Sequence, residues 1–165
     1  MSTPAPTGRI LKTDSGLDLI VTRTLPGSLD DAWASITEPE RTARWMGRWE
    51  GDAAPGATVR LQLGFEEDSP WSDVKILDCE APRRLRLALL TPDAPWEVEL
   101  ELTPVGERTE LRFVHRAITA EEAPSVAPGW EWYLDQLVAS MRGAPLPSFD
   151  DYFPAQRAHF AQQLP

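Results

Sequence analysis

The residues of this sequence that are best suited to binding or chemistry are aromatic. Tryptophan occurs seven times in 165 residues, against two tyrosines, and rings of that size either fill a core or line an apolar pocket. Trp130 and Tyr133 have a spacing that places both on one face of a helix. Trp45 and Trp49 form a second pair in an earlier part of the chain. If the two pairs face each other, they predict either a pocket or a solid aromatic interior.

We predict that these rings line a pocket for a small hydrophobic molecule, with the Tyr133 hydroxyl as a polar contact. Residues that share the inward phase of a predicted strand, or the same helical face, complete the predicted site. An interior filled by the rings is also compatible with the sequence. The predicted ligand-binding residues are Trp45, Trp49, Phe65, Phe113, His115, Trp130, Tyr133, Leu137 and Met141.

His115 is the sharpest single candidate for chemistry. It shares the phase of Leu111 and Phe113 along a predicted strand, so its side chain is expected to point inward. An inward histidine either serves a ligand as hydrogen-bond partner or acid/base group, or is a structural residue paired within the protein. The sequence has no serine or carboxylate in phase with His115 that could orient it, so a catalytic triad is not predicted. If the protein is an enzyme, His115 and Tyr133 are the expected acid/base residues.

Composition argues against several other classes. A single cysteine, Cys79, and two histidines predict no metal site and no disulfide, and we expect Cys79 to be a buried, inert thiol. No phosphate-binding glycine motif is present, so no cofactor is predicted. The net charge of -10, from 16 basic and 26 acidic residues, disfavours nucleic acid as a partner. No apolar run predicts a membrane span or a secretory signal, so the expected location is the cytoplasm.

The elements that must position these residues follow from hydrophobic periodicity. Leu17 to Leu25 alternates as a strand, and two short helices are predicted after it, the first with Ser28 and Asp31 in a capping arrangement. Further alternating segments between residues 58 and 116 predict five more antiparallel strands, with a bulge near Ile76.

The strongest periodic segment lies near the C-terminus. Apolar residues from Trp130 to Met141 recur at helical spacing, and Gly143 is expected to end the helix. The predicted fold is therefore α+β, a curved six-stranded antiparallel sheet around a long C-terminal helix, with two short helices after the first strand. We predict a flexible leader over residues 1–15, a ligand-binding domain over 16–143, and an extension with a short helix over 144–165. Aromatic residues in the extension either fold back or support a homodimer.

These elements carry five short motifs, which are Pro26-Gly27-Ser28 through Ala32-Trp33, Thr37-Glu38-Pro39-Glu40, Trp45-Met46-Gly47, Phe113-Val114-His115, and Gly129-Trp130 with Leu134 and Leu137. In these motifs the sequence resembles the SRPBCC (START-like, helix-grip) superfamily, in the branch of activator of heat-shock-protein ATPase homologue-like proteins. That resemblance implies a cavity between sheet and C-terminal helix, which the superfamily uses for lipids, sterols, polyketides and other apolar ligands.

Three functions are compatible with this sequence. The leading expectation is non-catalytic binding of a small hydrophobic ligand between sheet and helix. The first alternative is an aromatase/cyclase- or hydrolase-like enzyme that acts on a bound apolar substrate. The second is a stress-related, co-chaperone-like protein-interaction module, which the name of the resembled branch suggests.

Overall fold

A computed structural model describes residues 4–165 as one sheet with helices packed on one face. The strands are β1 (Arg9–Thr13), β2 (Gly16–Pro26), β3 (Trp49–Glu50), β4 (Thr58–Gln62), β5 (Trp71–Glu80), β6 (Arg84–Leu90), β7 (Trp96–Val105) and β8 (Arg108–Ile118). The helices are α1 (Leu29–Thr37), α2 (Pro39–Thr42), α3 (Ala123–Arg142) and α4 (Arg157–Ala161), with a short 3₁₀ helix at Phe149–Asp151.

The sheet is antiparallel throughout, with the strand order β1-β2-β8-β7-β6-β5-β4-β3. The α+β class, the long antiparallel sheet and the C-terminal helix are confirmed. The predicted strand number is wrong, because the sheet has eight strands rather than six. It is also open, since β1 and β3 lie at its two edges and do not pair with each other.

The two strands that the sequence did not predict are the edge strands. β1 pairs with β2, Ile10 opposite Leu19, so residues 9–13 belong to the sheet and not to a flexible leader. Four of its five side chains are exposed, which leaves no alternating pattern to detect. β3 has only two residues and is therefore too short to show periodicity.

Local sequence signals explain how the first helices form. The backbone N–H of Asp31 donates to Ser28 Oγ at 3.2 Å, which caps α1 as predicted. Glu38 ends α1 in an extended conformation, and Pro39 then opens α2, where its missing N–H is not needed. This break turns the chain from α1 into the segment that carries Trp45.

The long helix α3 is longer than its periodic core. It spans 20 residues and ends at Gly143, whose φ of 66° gives the left-handed C-cap that glycine favours. The helix begins at Ala123 rather than near Trp130. Its first turns were not predicted, because Pro128 and Gly129 have low helix propensity. The helix packs against β2 on the concave side of the sheet.

A largely buried ion network fixes the middle of α3. Arg23 on β2 donates to Glu131 and Asp135 at 2.7 Å each, and Glu131 is fully buried. Glu131 also accepts hydrogen bonds from the backbone N–H groups of Thr7 and Gly8. Since a buried carboxylate needs such partners, the network ties the N-terminal segment, β2 and α3 together.

The C-terminal extension folds back onto this network. The Tyr152 hydroxyl donates to Asp135 Oδ2 at 2.6 Å, and Tyr152 and Phe160 are both buried in the main core. Gln163 Oε1 accepts a hydrogen bond from the backbone N–H of Ile10 on β1. The extension therefore packs along α3 and reaches the edge strand β1.

Gly47 follows α2 at a point where the chain has no room for a side chain. A Cβ at this position would overlap the backbone carbonyl of Gln62. A neighbouring backbone hydrogen bond, from the N–H of Gly64 to the carbonyl of Met46 at 3.2 Å, holds the two segments together. Because the obstacle is backbone, it cannot be relieved by a side-chain rotation.

Gly47→Ala is therefore expected to lower the free energy of unfolding by about 2 kcal/mol or more. Gly129→Ala is the matched control, since its Cβ would meet nothing within 4 Å and alanine in a helix should add about 0.5–1 kcal/mol. Urea unfolding of the three proteins measures both effects. Equal stabilities for Gly47→Ala and wild type would contradict the packing described here.

Candidate functional site

A cavity of about 290 Å³ lies between the concave face of the sheet and the helices. Its floor is formed by β4 to β8, and α1, α2 and the segment after α2 lie opposite. Trp130 and Leu134, one turn apart on α3, close one side. The cavity separates the small hydrophobic cluster of β4 and β5 from the main core around α3.

Two tryptophans anchor the segment opposite the sheet. The Trp45 indole N–H donates to the carbonyl oxygen of Ser35 at 2.9 Å, and the Trp49 indole N–H donates to that of Thr37 at 2.8 Å. Both acceptors belong to the last turn of α1, whose carbonyls have no partner within the helix. The backbone oxygen of Trp45 in turn accepts from Gln136 of α3. The rings are thus held by backbone hydrogen bonds and not only by packing.

The wall of the cavity is almost entirely apolar. It carries no aspartate, glutamate, lysine, arginine or histidine among the residues from 4 to 165. The hydroxyl groups of the two threonines in the wall donate to backbone oxygens, Thr37 to that of Trp33 and Thr42 to that of Pro39. The lining residues are Trp33, Ile36, Thr37, Thr42, Trp45, Met46, Trp49, Ala53, Ala54, Pro55, Val59, Leu61, Val74, Ile76, Cys79, Ala81, Leu85, Leu87, Val98, Leu100, Phe113, Trp130 and Leu134.

The exposed part of the lining marks the entrance. Ala53, Ala54 and Pro55 come from the loop before β4, and Cys79 and Ala81 come from the end of β5 and the turn after it. All five side chains are small. An entrance of this kind leaves the interior accessible from solvent.

Four of the predicted ligand-binding residues lie together at this cavity. Trp45 lines it from the segment after α2, Trp49 from the edge strand β3, Phe113 from β8, and Trp130 from α3. The rings of Phe113 and Trp130 are 4.5 Å apart between centroids and tilted by 43°, which is a favourable aromatic arrangement. Their role in binding a ligand remains a prediction.

The other five predicted residues lie outside the cavity lining. Phe65 belongs to the loop after β4 and packs against the main core. Leu137 is fully buried in that core, and Met141 packs at its edge. His115 and Tyr133 are also absent from the lining, and each has a partner within the protein.

His115 is a structural residue in this arrangement. Its Nδ1 accepts the Trp130 indole N–H at 3.1 Å, so the proton of the neutral ring is assigned to Nε2. Only 1% of the residue is exposed. Burial lowers the pKa of His115 from 6.5 to about 4, against the smaller opposing influence of Glu122 and Asp18. The imidazole therefore supports the position of Trp130.

Tyr133 faces the loop after β4. Its hydroxyl donates to Glu66 Oε2 at 2.6 Å. Burial raises the pKa of Tyr133 well above its usual value, and the Glu66 carboxylate adds to the effect. With its proton committed to Glu66, the hydroxyl links the loop to α3.

Sequence reasoning missed most of the lining that strands supply. Val74, Leu87 and Val98 share the inward phase of their strands, and that phase was the available signal. Cys79 was expected to be buried, yet it is exposed at the entrance. A register shift between Ile76 and Asp78 returns Cys79 to the concave face, at the open end of β5.

Metal-ligand clusters and membrane-spanning helices are both absent from the described part of the chain. Among residues 4–165, no group of three or more histidine, cysteine, aspartate or glutamate side chains is arranged to hold a metal ion. None of the helices in that part of the chain combines the length and apolarity required to cross a bilayer.

The sequence matches the family model described as activator of Hsp90 ATPase homolog 1-like protein over residues 27–142. The chain belongs to this family. The matched segment runs from the turn before α1 to the last residue of α3, so it contains nearly the whole cavity lining. No curated protein matches the sequence.

Solved structures share the fold. CalU16 from Micromonospora echinospora is similar with a TM-score of 0.76 and 26% identity, covering 96% of both chains. DynU16, from the dynemicin biosynthetic locus, gives a TM-score of 0.69 and 23% identity over 80% of this chain and 50% of its own. The Aha1 dimer from Colwellia psychrerythraea gives 0.64 and 15% over 75% of this chain and 95% of its own.

A substitution that fills the cavity tests its existence. Val74→Phe places a ring where the wall is open, so the free energy of unfolding should change by less than about 1 kcal/mol. Val21→Phe is the matched control, because Val21 is fully buried in the main core and does not line the cavity. Val21→Phe should lower the free energy of unfolding by about 1–3 kcal/mol. Denaturant unfolding compares them, and similar losses in both variants would show that the interior is filled.

The low pKa of His115 predicts a specific pH dependence. Between pH 6.5 and 4 the unfolded chain binds a proton at His115 that the folded chain does not. Stability from this group is therefore complete above pH 6.5 and falls as the pH drops, by about 2–3 kcal/mol at pH 4.5. His115→Gln, which keeps an acceptor for Trp130, should lack this loss. The measurement is urea unfolding at pH 7.5 and 4.5, and an equal loss in both proteins would refute the assignment.

Proposed function

We propose that this protein binds a small hydrophobic molecule, without catalysing a reaction on it, in the cavity between the sheet and α3. The observation that carries the proposal is an accessible, almost wholly apolar cavity of about 290 Å³. Ligand pockets in proteins typically begin at about 300 Å³ and are lined mainly by apolar and aromatic side chains. This cavity meets the second criterion and lies at the lower limit of the first.

The packing around the cavity supports a binding role over a packing defect. Protein interiors are close-packed, and a void of this size costs stability unless something occupies it. Here the tryptophans that could collapse into the space are held by hydrogen bonds to α1. Retaining such a space is useful if a ligand fills it.

The residues around the cavity do not favour the enzymatic alternative. Acid/base catalysis needs a titratable group within hydrogen-bond reach of the substrate. His115 is bonded to Trp130 and Tyr133 to Glu66, and neither lines the cavity. Cys79 has a raised pKa, caused by partial burial and by the Asp78 carboxylate, which disfavours the reactive thiolate.

The comparisons add support at the level of the fold. DynU16 comes from a biosynthetic locus, which accords with a small-molecule role for a protein of this shape. The co-chaperone alternative has only the family description in its favour. A cytoplasmic location, a homodimer and a domain boundary at residue 143 stay predictions.

The proposal is tested by isothermal titration calorimetry with four probes: 2-naphthamide, 2-naphthoate, dodecanoate and cholesterol. We expect at least one probe to bind with a stoichiometry of one. Because Val74→Phe occupies the cavity, it should weaken that binding by about tenfold or more. Val105→Phe is the control, since Val105 is 56% exposed and lies outside the lining.

The single cysteine offers an independent readout. Cys79 lies at the entrance, so a bound probe should slow its reaction with a thiol reagent in wild type and in Val105→Phe. Absence of binding by all four probes, together with unchanged Cys79 reactivity, would rule out the proposed function.

A further inference from the structure

The interior of the cavity has no group that could neutralise an anion. None of the lining residues among positions 4–165 is a lysine, arginine or histidine. The indole N–H groups of Trp45, Trp49 and Trp130 all donate to protein acceptors. A carboxylate or phosphate drawn into this wall would lose its water without gaining a cationic partner, which is strongly unfavourable.

The cavity does offer contacts for a single neutral polar group. Trp33 lines the cavity and is half-buried, and its indole N–H is not among the buried side-chain groups that lack a partner within the described residues, so this donor is accessible. The hydroxyl groups of Thr37 and Thr42 already donate to backbone oxygens, but their oxygens can still accept a hydrogen bond. Such donors and acceptors suit an amide, a hydroxyl or a ketone, all of which are uncharged.

The aromatic share of the wall favours a flat ligand. Trp33, Trp45, Trp49, Phe113 and Trp130 surround the space, and ring faces gain from offset or edge contacts with another ring beyond the area that is buried. The volume sets the size, since a cavity of about 150 Å³ holds benzene. At about 290 Å³ the space suits about two fused rings, and a sterol skeleton is too large for it.

Resting on the proposed function, we infer that the cavity selects an uncharged, two-ring aromatic molecule with one neutral polar substituent, and rejects carboxylates and sterols. The selection comes from the interior. The charged neighbours of Cys79 do not line the entrance, because Asp78 and Glu80 both lie within 4 Å of Arg84 and none of the three belongs to the lining. Charge at the entrance therefore does not decide the selection.

The critical comparison is between 2-naphthamide and 2-naphthoate, which have the same ring system and shape and differ in charge. Titration calorimetry of the wild-type chain at pH 7 should show that the amide binds at least about tenfold more tightly than the carboxylate. Dodecanoate and cholesterol should bind more weakly than the amide. The advantage of the amide should vanish in Val74→Phe and persist in Val105→Phe.

Each outcome separates this inference from the proposed function. If 2-naphthoate, dodecanoate or cholesterol binds as tightly as the amide or more tightly, and Val74→Phe abolishes that binding, the selectivity is wrong and the binding function stands. If no probe binds, both are wrong. An amide preference that is equally strong in Val74→Phe would place the ligand outside the cavity and overturn the inference.

Discussion

The arrangement depends on two hydrogen bonds from indole rings to the end of a short helix. Trp45 and Trp49 donate to the carbonyls of Ser35 and Thr37, groups that α1 cannot satisfy by itself. These bonds join the segment after α2 to α1 and keep both rings from filling the space in front of the sheet. Without them, the rings would be free to pack into the gap, because burial of apolar surface favours collapse.

The cavity lies at the boundary between two hydrophobic clusters. One cluster comprises Val59, Leu61, Val74 and Ile76 of β4 and β5, and the other surrounds α3. If the two clusters packed directly against each other, the interior would be a continuous core of the usual packing density. The ion network of Arg23, Glu131 and Asp135 uses a different face of α3, about 100° around the helix from Trp130 and Leu134. The helix is thus anchored to β2 by residues that do not line the cavity.

The sequence predicts those parts of the fold that have long periodic patterns. Alternation identified the central strands and helical spacing identified α3, whereas β1 has a single inward apolar residue and β3 has only two residues. The cavity-facing side of α3 was harder to predict. Since Glu131 and Gln136 are buried as well as Trp130 and Leu137, nearly every side of the helix is covered and hydrophobicity does not indicate which side borders a space. Trp130 and Leu134 border the cavity, whereas Tyr133 points to Glu66.

A ligand can bind as proposed only if the space between the sheet and the tryptophans Trp45 and Trp130 is real, apolar and accessible. Xenon enters empty apolar cavities in proteins and scatters strongly. Diffraction from crystals equilibrated under xenon gas measures this directly. A xenon peak between Val74 of the sheet and these tryptophans is the predicted result. Continuous protein density through that region, with no xenon bound, would contradict the account.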